Sequence, residues 1–316
     1  MGFFIFLPLI LPLTAWPIAR LAEQHLHPRA ATRLLTAMAA VMALCSTVCL
    51  ALLMVVGTAQ LPGNPLPDGW SDPEVRAAVP YDEIAGKVAI PALFAVAAVC
   101  VRTAWRHFRL RRRAHRALTG LPSTEVAVLR DDTPYAYALP GARRDRIVVT
   151  TALLGSLDPG ERRALFAHER AHLTARHHRY LLTVQLAARA NPFLRPLSTA
   201  VSYTTERWAD EEAAAVIGSR RTVARAIGKA ALLSRGAPVP ALAGFTGLAS
   251  FAAPGPIPRR VAALLGPAPL IRDWPPVFTA VGFAAWGAAA GTAVSAMSSA
   301  NSAVTMFIIL HAATPL

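Results

Sequence analysis

A chain of 316 residues, 54% of them hydrophobic and with a positive mean hydropathy, has room for one water-exposed domain plus several membrane spans. Its formal charge of +14 would suit nucleic acid, but the arginines gather beside apolar runs, where membrane topology places them, and no nucleic-acid motif accompanies them, so no nucleic-acid partner is expected. The three cysteines, Cys45, Cys49 and Cys100, all sit in apolar runs, which excludes a disulfide framework and a cysteine-type metal site.

Gly2 to Ala19 is apolar and uncharged, interrupted by Pro8, Pro12 and Pro17, and reads as a retained, kinked span rather than a cleaved leader, since no basic segment precedes it. A short basic loop with Arg20, Arg29 and Arg33 leads to a longer apolar run, Leu34 to Leu61. Gly63 to Glu83 is proline-rich and net acidic, which puts an outer loop over 62–86. Val88 to Trp105 makes a third span, followed by Arg106, Arg109, Arg111, Arg112, Arg113 and Arg116. That cluster is the main orientation signal: it belongs at the cytoplasmic face, beside anionic headgroups of the lipid bilayer. The expected organisation is three transmembrane helices over 1–105, a cytoplasmic domain over 106–273, and a fourth span with a short tail over 274–316. The protein would be a multi-pass protein of the cell membrane.

Within the cytoplasmic part, Glu125 to Leu129, Tyr135 to Leu139 and Ile147 to Thr151 have strand character, with turn chemistry at Asp131–Pro134 and Pro140–Gly141, and predict a small antiparallel sheet. The strand at Ile147 to Thr151 is either an edge able to pair with an extended substrate or plain sheet core. Asp158 as N-cap, Pro159 at the first helical position and Glu161 as the acid of a capping box start a helix rich in alanine and leucine. Tyr180 to Ala190 forms another helix closed by Asn191–Pro192, Arg195 to Ile217 a third ended by Gly218, and Thr222 to Ser234 and Arg259 to Leu265 two more. Val277 to Met297 is long enough to span; a Ser/Asn break at Ser298 to Ser302 leaves Ala303 to Thr314 too short to cross alone.

The first of these cytoplasmic helices carries His168-Glu169-Arg170-Ala171-His172, an H-E-x-x-H. Histidines four apart on one helix face can reach a single zinc ion, and Glu169, about a quarter turn round, can touch a water held there without entering the coordination shell. Glu206 is the candidate third ligand, and Asp210, one turn on, is suited to fix the tautomer of a ligating histidine. Two histidines, one glutamate and an open position make a catalytic zinc site, with one zinc ion per chain and Glu169 as general base. Tyr203 could donate a hydrogen bond to a developing oxyanion or could simply pack. His177 and His178 lie beyond the reach of the i, i+4 pair and read as surface or membrane-interface residues.

The series Tyr135–Gly141 (YAYALPG), Ile147–Leu154, Leu157–Glu161, the H-E-x-x-H and the E-x-x-x-D of Glu206 and Asp210 resembles the integral-membrane gluzincin metallopeptidases, over about residues 120 to 270. Two groups share the pattern, the HtpX-type and CAAX-prenyl proteases and the BlaR/MecR-type sensor proteases. The resemblance implies a mainly α protein: multi-span membrane helices with a cytoplasmic α+β gluzincin domain. It implies His168, His172 and Glu206 as zinc ligands, Glu169 as base, Asp210 behind them, and a protein or peptide substrate. That substrate would be a cytoplasmic repressor in the sensor-protease reading and misfolded membrane protein in the HtpX reading; the alternative outside the enzymes is a non-catalytic zinc-binding membrane scaffold. Pro254–Arg260 lacks the histidine that HtpX-type enzymes carry before the arginine near the end of the domain. The sequence stops at Leu316 without a penicillin-binding sensor, so antibiotic sensing of the BlaR kind is not expected.

Overall fold

The structure, a computed structural model, describes residues 6–63, 66–71, 82–122, 124–141, 144–233, 257–269, 276 and 278–314. Residues 64, 65 and 72–81 of the expected outer loop, and Pro254 to Pro256 of the proline-rich stretch, lie outside the described residues.

Among the described residues three helices are long and apolar enough to cross a membrane, lying within α3 (Pro28–Ala59), α4 (Asp82–Ala117) and α11 (Ala280–Ala312). The N-terminal apolar run is not one of them. Its prolines divide it into α1 (Leu7–Ile10), a 3-10 turn (Leu11–Thr14) and α2 (Ala15–His25), because each removes a backbone donor and crowds the preceding turn. Ala15, Ala19, Ala22 and Leu26 pack into a core with Leu35, Met38 and Met42 of α3. The C-terminal span also differs from expectation, since α11 runs unbroken through Ser298–Ser302. Small hydroxylated residues do not stop a helix that packs them inward: Ser299 and Ser302 are buried, and the Ser299 hydroxyl donates to the Cys45 carbonyl at 3.5 Å.

α3 and α4 cross at Gly57 and Gly86, where a Cβ on either glycine would run into the backbone of the other. Beyond its apolar half α4 continues through the arginine cluster to Ala117, across the boundary expected at 105–106. Ala114 is buried with the sheet, and Arg111 Nε and His115 Nε2 each lie 3.1 Å from the Pro140 carbonyl, so the span and the sheet are mechanically one unit.

The sheet holds β1 (Val126–Leu129), β2 (Ala136–Leu139) and β3 (Arg146–Thr150) in the order β1-β3-β2. It is mixed, not wholly antiparallel: β2 and β3 form the antiparallel pair, while β1 runs parallel to β3 with Val126 opposite Ile147. Asp131 explains the difference. Its side chain accepts from the Thr133 N–H at 2.8 Å in a tight turn that carries the chain past β3's place, so β3 inserts between its two predecessors. β3 is therefore sheet core, with Ile147, Val148 and Val149 fully buried, and β2 is an edge.

Around the sheet lie α5 (Thr151–Ser156), α6 (Pro159–Thr174), α7 (His177–Ala190), α8 (Arg195–Ile217), α9 (Arg220–Leu233) and α10 (Ile257–Leu265). A hydrogen bond of 2.9 Å from the Thr32 hydroxyl to that of Thr204 fixes α8 against the first turns of α3. Gly57→Val should lower the thermal midpoint in detergent, a loss of about 1–3 kcal/mol from overpacking. Gly228→Ala in α9, where an added Cβ meets open space, should hold or raise it. Helical circular dichroism measures both; an unchanged midpoint for Gly57→Val would mean the α3–α4 crossing is not as described.

Candidate metal centre

α6 starts as its sequence dictates. The Asp158 carboxylate accepts from the Glu161 N–H at 2.8 Å, and the Glu161 carboxylate accepts in return from the Asp158 N–H at 2.9 Å. Lys229 Nζ reaches the buried Glu161 at 3.0 Å and ties α9 to the same cap. With the start fixed, Ala164, Leu165, His168 and His172 share the inward face. α8 crosses behind α6 with Thr205, Glu206, Ala209 and Asp210 buried.

The two imidazoles aim Nε2 at Nε2, 3.0 Å apart. Glu206 faces both, at 3.5 Å from His168 Nε2 and 3.6 Å from His172 Nε2. Ligands on a tetrahedral zinc, with bonds near 2.0–2.1 Å, stand about 3.3 Å from one another, so these separations suit that ion. His168, His172 and Glu206 each offer one ligand atom within 4.8 Å of the others.

The outer nitrogens are also engaged. His168 Nδ1 lies 3.1 Å from Asp210 Oδ1, and His172 Nδ1 lies 2.8 Å from Nδ1 of His177. With both Nε2 atoms free to ligate, the Nδ1 protons donate outward, to a carboxylate in one case and to a neutral imidazole in the other. Burial holds His177 neutral, down to about 3, which suits it to accept. Burial alone would lower His168 too, but the Asp210 and Glu206 carboxylates outweigh it and push the ring up to about 9, the signature of a site arranged for positive charge. Burial lifts Glu169 to about 7. Its carboxylate is fully buried and neither oxygen completes a hydrogen bond among the described residues, although the Ala138 N–H approaches it. Since the Tyr135 carbonyl turns toward β3, accepting from the Thr150 N–H, strand alternation turns the main-chain groups of Ala136 and Ala138 the other way, toward α6.

His177 was expected at a surface and is wholly buried. Arg176 explains it: this residue stands in the left-handed region, φ 53°, and folds α7 back onto α6 so that its first residue meets His172. His178, half-buried, remains outside the cluster. At Tyr203 the Arg259 guanidinium lies 4.2 Å over the ring and is itself paired with Glu23 at 2.8 Å.

The residue that reading the sequence missed is Arg260. It is fully buried and grips Asp210 with two hydrogen bonds, Nε to Oδ2 at 2.8 Å and Nη2 to Oδ1 at 2.6 Å, while Nη1 stands 3.0 Å from Glu206 Oε2. Burial would raise Asp210, but the guanidinium outweighs it and holds the acid well below the usual carboxylate range. A signal existed: Ile257, Arg260, Val261 and Leu264 fall at i, i+3, i+4 and i+7, so Arg260 occupies the apolar stripe of its helix.

Residues 101–191 match Peptidase family M48. The M48 match runs from within α4 through the sheet and α6 to the end of α7, so it includes His168, Glu169 and His172 but not Glu206, Asp210 or Arg260. The chain is also similar to a protease HtpX homolog of Acidiphilium cryptum (strain JF-5), 32% identical over 146 residues, with 34% of this chain and 50% of the relative covered. It thus spans about half the length of the curated relative it matches. No solved structure matches. The resemblance to membrane gluzincin metallopeptidases is borne out on the HtpX side.

Arg260→Gln should destabilise the fold by about 3–5 kcal/mol, because it leaves Asp210 buried without its counter-charge. Chemical denaturation reads this directly, and a loss under 1 kcal/mol would show the pair to be unimportant. His177→Ala should weaken zinc binding about 10- to 100-fold, as loss of a partner to a ligand's outer nitrogen does. Competition against a chelating zinc dye would show it, and parent-like affinity would remove His177 from the site.

Proposed function

We propose that this chain is a membrane-embedded zinc endopeptidase, with His168, His172 and Glu206 as the ligands. The observation that carries the reading is the convergence of two Nε2 atoms and the Glu206 carboxylate on one point, with Glu169 beside it and lacking a completed hydrogen bond. The donor set, two imidazoles and one carboxylate with an open fourth position, is that of catalytic rather than structural zinc.

A zinc ion held by His168, His172 and Glu206 would supply Lewis-acid polarisation of a scissile carbonyl and a more acidic attacking water. Glu169 takes the proton from that water and returns it to the departing amine. Its burial favours this exchange, since a carboxylate whose affinity for protons is raised can hold one between the two steps. Asp210 holds the His168 ring in its ligating tautomer and Arg260 holds Asp210. The outward main chain of Ala136 and Ala138 on edge strand β2, next to Glu169, is suited to align an extended peptide by strand addition, the role that central β3 cannot take. The centre is closed to solvent, with His168, Glu169, His172 and Glu206 each at most 3% exposed, so a substrate reaches it only after a covering element moves.

The arginine-rich end of α4 supports a cytoplasmic placement of this centre under the positive-inside rule. Similarity to an HtpX-type protease favours cleavage of membrane-proximal protein segments, as in quality control. Cleavage of a repressor rests on the motif resemblance alone. Glu169→Gln should abolish casein or self-cleavage in detergent while leaving one zinc per chain by metal analysis. A variant that cleaves at the parent rate would overturn the general-base assignment, and a parent protein that binds zinc yet never cleaves would favour the scaffold.

A further inference from the structure

On the side of α6 away from Glu169 lies a second concavity of about 740 Å³, formed where α3, α6, α7 and α8 meet. Its walls carry Arg29 and Arg33 from the first turns of α3, Arg176 and Arg179 from the start of α7, and Arg170 from α6. Arg170 is occupied by Glu125 at 2.7 Å. The other four have no carboxylate partner among the described residues. The floor is aromatic: Arg29 and Arg33 both lie over the Trp208 ring, at 5.6 and 5.5 Å from its centroid. The sole acid in the lining, Glu212, accepts from the Trp208 indole N–H at 3.1 Å. Arg176 is the one non-glycine among the described residues with positive φ, a conformation that carries strain in an arginine.

Four unneutralised guanidinium groups converging on one concavity focus a positive potential, and guanidinium forks match the oxygens of a phosphate. The place of the concavity narrows the source. From Leu34 to Gln60 the sequence has no charged residue, so Arg33 is the last charge before the apolar length of α3, the depth at which lipid phosphates lie. Tyr180 in the same lining, with an apolar body and a polar tip, suits that boundary.

We propose that this concavity binds the phosphate of an anionic phospholipid headgroup, with Arg29, Arg33, Arg176 and Arg179 as its donors. A soluble phosphate shares the chemistry but not the position, because the charged wall opens beside the apolar surface of a span. The site does not depend on the centre being a working peptidase.

The test is native mass spectrometry of the full chain in detergent, titrated separately with short-chain phosphatidylglycerol, short-chain phosphatidylcholine, inorganic phosphate and an acidic peptide. Phosphatidylglycerol should remain bound and phosphatidylcholine should not. The double variant Arg33→Gln/Arg179→Gln should lose about a hundredfold in affinity, roughly tenfold for each charge-assisted hydrogen bond removed. The control pair Arg163→Gln/Arg221→Gln removes equal charge from exposed positions of α6 and α9, and should bind as the parent does. Arg33→Lys/Arg179→Lys, which keeps the charge, should recover part of the loss and so separate a binding defect from misfolding. Equal retention of phosphatidylcholine, equal loss in the control pair, or a preference for free phosphate or the acidic peptide over phosphatidylglycerol would each overturn the assignment.

Discussion

Three carboxylates, Glu169, Glu206 and Asp210, are buried around the same pair of helices, and a low-polarity interior resists that much like charge. Arg260 relieves part of it. Its guanidinium takes both oxygens of Asp210 and borders Glu206, so one cation borders two acids from a helix fifty positions further along the chain. Without that fork Asp210 would be protonated or exposed, and an Asp210 that cannot accept from His168 Nδ1 no longer selects the tautomer that leaves Nε2 available. The ligand geometry is thus set less by the two histidines than by the ion pair behind them, which makes the packing of α10 on α8 part of the metal centre.

What could be read from the sequence was what local rules write. The capping box at Asp158 and Glu161, the one-turn spacing of His168 and His172, and the one-turn spacing of Glu206 and Asp210 depend only on helical geometry, and the structure carries them as spaced. His177 escaped because its approach depends on a left-handed turn at Arg176, a residue type that gives no hint of one. β3 could not be assigned between edge and core because strand order is a long-range property, decided here by the Asp131 turn. Arg260 was legible in principle, as the one charged residue in an apolar stripe, but its partner was not: nothing in a sequence pattern says which buried acid an inward arginine meets. The unbroken α11 is a failure of composition as a guide, since of the serines read as a break Ser299 and Ser302 are buried and Ser299 bonds to α3.

Trp208 connects the two sites. One side of α8 presents Glu206 and Asp210 to the histidines, while Trp208 turns to the other, where its ring lies against His177 with centroids 4.6 Å apart. His177 in turn meets the outer nitrogen of His172. The same indole is the floor under Arg29 and Arg33. A single aromatic ring therefore stands between the membrane-boundary arginines and a ligand of the candidate metal centre, and any displacement of it has only the His177 imidazole to cross before it reaches His172.

This arrangement bears on why the centre sits where it does. Thr204 of α8 bonds to Thr32 of α3, one residue before the last charged residue of that span, so Glu206 is held about level with the beginning of the apolar length. A centre at that depth, attached to α4 through Pro140 and to α3 through Thr204, cannot move independently of the spans. Segments that meet it must come close to the bilayer surface. A freely diffusing soluble domain would impose no such restriction. The restriction on which chains can be reached therefore follows from the anchoring hydrogen bonds, and it would persist whatever side chains surrounded the centre.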